Sequence, residues 1–186
     1  MPINSSGMRE HRPAFNGPSM IGVLRGNPMK LTERQFRDAL GQFTTGVCVV
    51  TAAPEGSDAV GVTVNSFTSV SITPPLILWC LKVESVVYSA FAAADRFAVN
   101  VLAANQKELS EQYADKTRHR LEPGCYVTGA GGAPVLNNAI SSLSCVVRAR
   151  YSGGDHVIIL GEIMDITANP GAPLVFFQGR YRELKP

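Results

Sequence analysis

The chain has 186 residues, 45% of them hydrophobic and 17% charged, which suits one domain with a substantial core. Seventeen basic against 15 acidic residues leave a formal net charge of +2, so the single-sign field of a nucleic-acid binder is missing. No apolar run reaches membrane-spanning length and the N-terminus is too polar for a secretory leader, so neither nucleic acid nor membrane is an expected partner.

Residues 1–29 contain Pro2, Gly7, Pro13, Gly17, Pro18, Gly22, Gly26 and Pro28 without a sustained period. Such a composition does not bury enough surface to offset its ordering entropy, so a flexible arm is expected there and a globular domain over 30–186. Thr32-Glu33-Arg34-Gln35 reads as a capping box, and Phe36, Leu40 and Phe43 come after it at helical spacing. The expectation is a short amphipathic helix covering a sheet.

Strand signals dominate the chain beyond this helix. Val47–Thr51 is β-branched, Val60–Ile72 is a second extended region, and Leu76–Leu81 is a third. Ser85 to Ala94 reads as a short helix opened by a serine cap. Phe97 to Leu102 alternates, and Asn105-Gln106-Lys107-Glu108 opens a helix running to about Ala114. Residues 115–138 read as irregular and glycine-rich; the dense basic run Lys116-Thr117-Arg118-His119-Arg120 inside them suits a solvated loop. Strands are then expected at Leu143–Arg150, Val157–Ile163 and Leu174–Phe177, with Arg180-Tyr181 closing the last. Strands outnumber helices and do not alternate with long ones, which excludes a doubly wound sheet. The fold class is therefore mainly β (α+β), a closed or split antiparallel barrel with a few short helices.

The chain lacks a Gly-x-Gly-x-x-Gly after a strand, a Walker loop, a Gly-x-Ser-x-Gly elbow and His-Glu-x-x-His. Cysteines 48, 80, 125 and 145 form no Cys-x-x-Cys pair, and three scattered histidines make a zinc site implausible. Reduced thiols and a cytoplasmic location are expected. The richest segment is Gly61-Val62-Thr63-Val64-Asn65-Ser66-Phe67-Thr68-Ser69-Val70-Ser71. In a continuous strand Thr63, Asn65, Ser69 and Ser71 would share a face. That face suits a polar, phosphorylated ligand, and equally a solvated strand surface. Lys82 with Ser85 could meet a phosphate or be an ordinary surface lysine and cap. Gly153-Gly154-Asp155-His156 puts a histidine at a strand start, as a proton carrier or as a turn hydrogen-bonder.

Taken in order, five segments resemble the flavin reductase family with the FMN-binding split barrel, the small partner reductases of two-component flavin monooxygenases. They are Phe43-Thr44-Thr45-Gly46-Val47, the stretch 61–71 with Pro74-Pro75, Phe97–Leu102, Gly153–His156, and Phe177-Gln178-Gly179-Arg180-Tyr181. The resemblance implies a Greek-key split barrel and a homodimer with the flavin near its interface. The implied activity is hydride transfer from NADH or NADPH to FAD or FMN, with reduced flavin passed to a separate monooxygenase. It further implies that Thr63, Val64, Asn65 and Ser66 line the isoalloxazine ring and ribityl chain, partly through backbone amides. Ser69, Ser71, Lys82 and Ser85 would lie toward the phosphate, with Asn100 in support. His156 would face the nicotinamide as the catalytic residue, with Asp155 and Tyr181 near it and Thr45 at the edge. One departure is Asp115–Gly124, which lacks the family's Lys-Phe-x-Gly wording. A flavin carrier without turnover and a pyridoxamine-phosphate oxidase on the same barrel are the competing readings; the second calls for a basic phosphate clamp that the sequence does not display.

Overall fold

Side-chain alternation sorts the strands into an inside and an outside, and the topology follows from it. The structure, a computed structural model, describes residues 31–184; the expected arm at 1–29 lies outside the described residues. Seven antiparallel strands pair in the order β3 (Val60–Val64), β2 (Cys48–Ala52), β6 (Arg96–Val101), β9 (Ser141–Gly153), β10 (His156–Ala168), β5 (Leu76–Lys82) and β4 (Thr68–Ser71). Along β5, Ile77, Trp79 and Leu81 are buried while Leu76, Leu78 and Cys80 are half-exposed. Inward residues of β2, β5, β6, β9 and β10 share one cluster with Val62 and Val64 of β3. Strands far apart in the pairing order therefore face one interior, which makes the sheet a barrel.

Trp79 lies at the centre, edge-on to Phe91 at 5.1 Å and tilted against Phe97 at 5.8 Å. Gly161 faces Phe97 so closely that a Cβ would come within 2.4 Å of the ring. A second cluster, including Val47, Val49, Leu102, Tyr113 and Leu174, lies on the other face of β2. β2 is thus buried on both faces, which explains the apolar run Val47–Val50; the one polar side chain in the strand, Thr51, is buried with its hydroxyl donating to the Pro134 carbonyl. A smaller sheet pairs β1 (Thr45–Gly46), β11 (Val175–Phe177) and β12 (Arg180–Arg182). The helices are α1 (Glu33–Leu40), α2 (Tyr88–Ala93) and α3 (Lys107–Ala114).

Five expectations need correction. Val60–Ile72 is two strands at opposite ends of the pairing order, so its hydroxyls form no single face. Helix α1 covers no sheet: Phe36, Leu40 and Phe43 are 55%, 59% and 76% exposed. Residues 115–138 are not wholly irregular, because β7 (Tyr126–Thr128) pairs with β8 (Pro134–Leu136). β9 and β10 run several residues past their apolar stretches, since the ladder between them continues out to Ala168 and Gly153. Finally, Arg180-Tyr181 belongs to a separate strand. Gln178 and Gly179 both adopt positive φ, 49° and 73°, the geometry of a two-residue hairpin loop.

Candidate active site

The end of β3 opens onto a cleft of about 190 Å³ lined by Val47, Thr63, Val64, Asn65, Ser110, Ala114, Phe176 and Tyr181. One fully buried residue, Ser110, ties its walls together. The Ser110 carbonyl accepts from Thr63 Oγ1 at 2.7 Å, and its hydroxyl meets Tyr181 Oη at 2.9 Å. Tyr181 also packs edge-on to Phe176 at 5.4 Å, its cross-strand neighbour. Thr45, paired in register with Phe176, holds a buried Oγ1 with no hydrogen-bond partner.

The backbone of this wall is available to a ligand. Gly61 N–H points away from β2, toward the carbonyl of His119. In an antiparallel ladder successive residues turn their N–H and C=O to alternate sides, so Thr63 and Asn65 share the outward side with Gly61. Among the described residues no backbone group bonds to the outward N–H or C=O of Thr63. A planar ring with alternating donors and acceptors along one edge could pair there, against the apolar walls of Val47, Val64 and Phe176.

Ser66 sits in the turn after β3. Its Oγ accepts from Cys80 N at 3.0 Å and donates to Cys80 O at 3.3 Å, so its hydroxyl stitches the turn to β5. Cys80 pairs with Ile158 and Lys82 with His156, which sets His156 one two-residue step, roughly 7 Å, along the ladder from the stitched turn. His156 Nδ1 is 2.8 Å from Asp155 Oδ1. The carboxylate can only accept, so Nδ1 carries the hydrogen, and no described residue bonds Nε2. That hydrogen bond from His156, aided by the charges of His156 and Lys82, holds the Asp155 carboxyl below the usual carboxylate range. The tight loop that presents the pair turns on Gly154 at φ 78°.

The expected phosphate cluster does not assemble. Ser69 and Ser71 pair with Ile77 and Leu76, and Ile77 is roughly 17 Å along β5 from Lys82. Lys82 Nζ is answered by Glu84 at 3.0 Å, which raises its pKa. Ser85 is not the helix cap: α2 begins at Tyr88 with Val87 as its N-cap, and Ser85 lies in the preceding turn, its carbonyl accepting from Tyr88 N at 2.9 Å. Asn100 is also displaced from the expected role. It is fully buried, donating to Val49 O and Thr51 Oγ1 and accepting from Leu136 N and Ser142 Oγ. With no exposed atom it supports β2, β8 and β9 instead of a ligand. Sequence reasoning missed Val47, Ser110, Ala114 and Phe176. Gln178-Gly179 between two aromatic-bearing strands was the signal for Phe176; a serine inside an amphipathic helix gave none.

The flavin reductase like domain model matches residues 40–185. The chain belongs to that family. It is 42% identical over 149 residues to the FMN reductase (NADH) SmoA of Agrobacterium fabrum, covering 80% of this chain and 84% of the relative. It is 31% identical over 160 residues to HsaB, the reductase subunit of a flavin-dependent monooxygenase of Mycobacterium tuberculosis, covering 84% and 85%. The structure of the Streptomyces globisporus NADH:FAD oxidoreductase SgcE6, in complex with NAD and FAD fragments, superposes with a TM-score of 0.77. The two share 39% identity over 82% of this chain and 93% of that one. Mainly antiparallel β structure with short helices, expected from the sequence as a split barrel, is the fold this family shares.

Proposed function

We propose that this chain is an NADH-dependent flavin reductase that binds FAD or FMN along the open edge of β3 and passes reduced flavin to a separate flavin-dependent monooxygenase. The observation that carries it is that edge: unpaired backbone at Thr63, with Asn65 beyond it, facing a cleft of mixed apolar and hydrogen-bonding walls. The unpartnered Thr45 hydroxyl adds an orphaned polar atom beside the same cleft. These features fit a flavin ring, whose polar edge needs alternating donors and acceptors and whose faces need apolar contact. A bound flavin supplies the hydride acceptor. The chain's own residues orient the ring, exclude water from it, and bring the donor into reach, and such positioning accounts for much of a barrier of this kind. His156 would meet the nicotinamide, its ring orientation fixed by the hydrogen bond from Nδ1 to Asp155.

The active form is a homodimer. A cleft of about 190 Å³ falls short of the roughly 300–1,000 Å³ that holds a whole small-molecule ligand, and the bare apolar face of α1 is available to a second copy. A cytoplasmic location accords with four free cysteines; among the described residues no helix is long and apolar enough to cross a membrane.

The test is NADH and NADPH oxidation by the purified protein with FAD, FMN and no flavin, alongside sedimentation. Flavin-dependent oxidation is the expected result. Saturable flavin binding without oxidation would replace the reductase with a carrier. In His156→Ala the NADH KM should rise or reduction slow while flavin affinity holds.

A further inference from the structure

Strand β3 ends one side of the pairing order, yet its outer side is not uniform. Over residues 59–61 that side is covered: Leu121 N donates to Ala59 O and Gly61 N to His119 O, both at 2.8 Å, and Val60 bridges Arg120. At Thr63 the cover is gone and the edge opens on the cleft. The change falls on one side chain. In a hydrogen-bonded antiparallel pair, residue 61 would exchange both its bonds with the backbone of residue 119. It exchanges only one; its carbonyl lies instead 2.9 Å from the His119 ring nitrogen Nδ1. A carbonyl can only accept, so Nδ1 is the donor, standing where the backbone N–H of a continuing strand would be.

We propose that His119 is a positioning residue of the flavin site, a reading that rests on the function proposed above. Its ring completes the pairing at Gly61 and lets the chain leave β3 there, so residues 115–118 do not run on along Thr63 and Asn65. Two features hold the departure in place. Asp115 Oδ1 accepts from Thr117 N at 2.8 Å and Thr117 Oγ1 at 2.7 Å, which shapes a turn directly behind α3. At Gly61 a Cβ would stand 3.1 Å from Leu121 of the cover and 3.2 Å from Tyr113 of α3 and Val49 of β2, so strand and cover are already in close contact there. Residues 115–121 thus end the covered edge and leave the ligand's edge bare.

The experiment compares His119→Ala and His119→Asn with the wild-type chain by flavin fluorescence titration, melting temperature and steady-state kinetics. Alanine removes the donor; asparagine returns an amide N–H at the same branch of the side chain. His119→Ala should weaken flavin binding about fivefold, the equivalent of one neutral hydrogen bond, with kcat at saturating flavin and the NADH KM unchanged. His119→Asn should restore affinity to within about twofold. Wild-type affinity in His119→Ala overturns the proposal, as does a His119→Asn variant that melts like the wild type and binds as weakly as alanine. A wild-type chain that binds no flavin overturns the reductase reading as well, so the two failures are distinguishable.

Discussion

Replacing Asn100 separates a scaffold from a ligand contact. The side chain uses its full capacity: two donated bonds of 3.0 and 3.1 Å and two accepted of 2.9 and 3.0 Å, all buried. Asn100→Ala removes four hydrogen bonds of about 1 kcal/mol each, roughly 4 kcal/mol in total, and leaves the Leu136 N–H and Ser142 hydroxyl without this acceptor. For a chain of this length such a loss lowers the melting temperature by roughly 8–16 °C. Asn100→Asp keeps the shape but turns an oxygen toward Val49 O and Thr51 Oγ1, so the folded state favours the protonated acid. Its carboxyl pKa in the fold is then raised above the unfolded value of about 3.9. Relative to wild type, Asn100→Asp is therefore most stable below that value and loses stability as pH rises through its folded pKa. Urea unfolding at pH 4 and pH 7, read by fluorescence, measures both variants. An Asn100→Ala protein within about 1 kcal/mol of wild type that has lost flavin affinity would refute the scaffold role.

Three further outcomes test the architecture. Tyr181→Phe and Ser110→Ala should each destabilise by about 1–2 kcal/mol and the double variant by little more, a coupling of about 1 kcal/mol in urea titrations; additive effects would deny the link across the cleft. Gly161→Ala drives a methyl into Phe97, itself held against Trp79, so it should cost about 1–3 kcal/mol and shift the emission of the chain's one tryptophan. Burial pushes the thiols of Cys48 and Cys145 up to about 12, so Ellman's reagent on the native protein should reach at most Cys80 and Cys125, and all four thiols only after unfolding.

How much of this was legible in the sequence depends on the range of the interactions. Phe97, Val99 and Asn100 sort onto opposite faces by strand periodicity alone, and the glycines at 153–154 mark their hairpin because φ and turn chemistry are local properties. The resemblance pointed to Thr63, Val64, Asn65 and Tyr181, and these four do share one cleft. Pairing across the barrel was beyond reach. A run of hydroxyls from Thr63 to Ser71 reads as one face until the chain is seen to switch edges after Val64. Asn100 looks like a polar ligand contact until its four partners, from residues 36 to 51 positions away, close around it. Ser110 and His119 carry no motif, because what each does depends on groups that only folding brings near: Tyr181 in one case and the carbonyl of Gly61 in the other. Local periodicity and turn chemistry thus determined the class of the fold and the turns that carry their own signal, such as Gly153-Gly154, but not the break after Val64 or the hairpin at Gln178-Gly179. Which polar groups face a ligand and which hold the barrel together was decided by non-local hydrogen bonding, since a buried polar group must find its partner wherever the tertiary structure puts one.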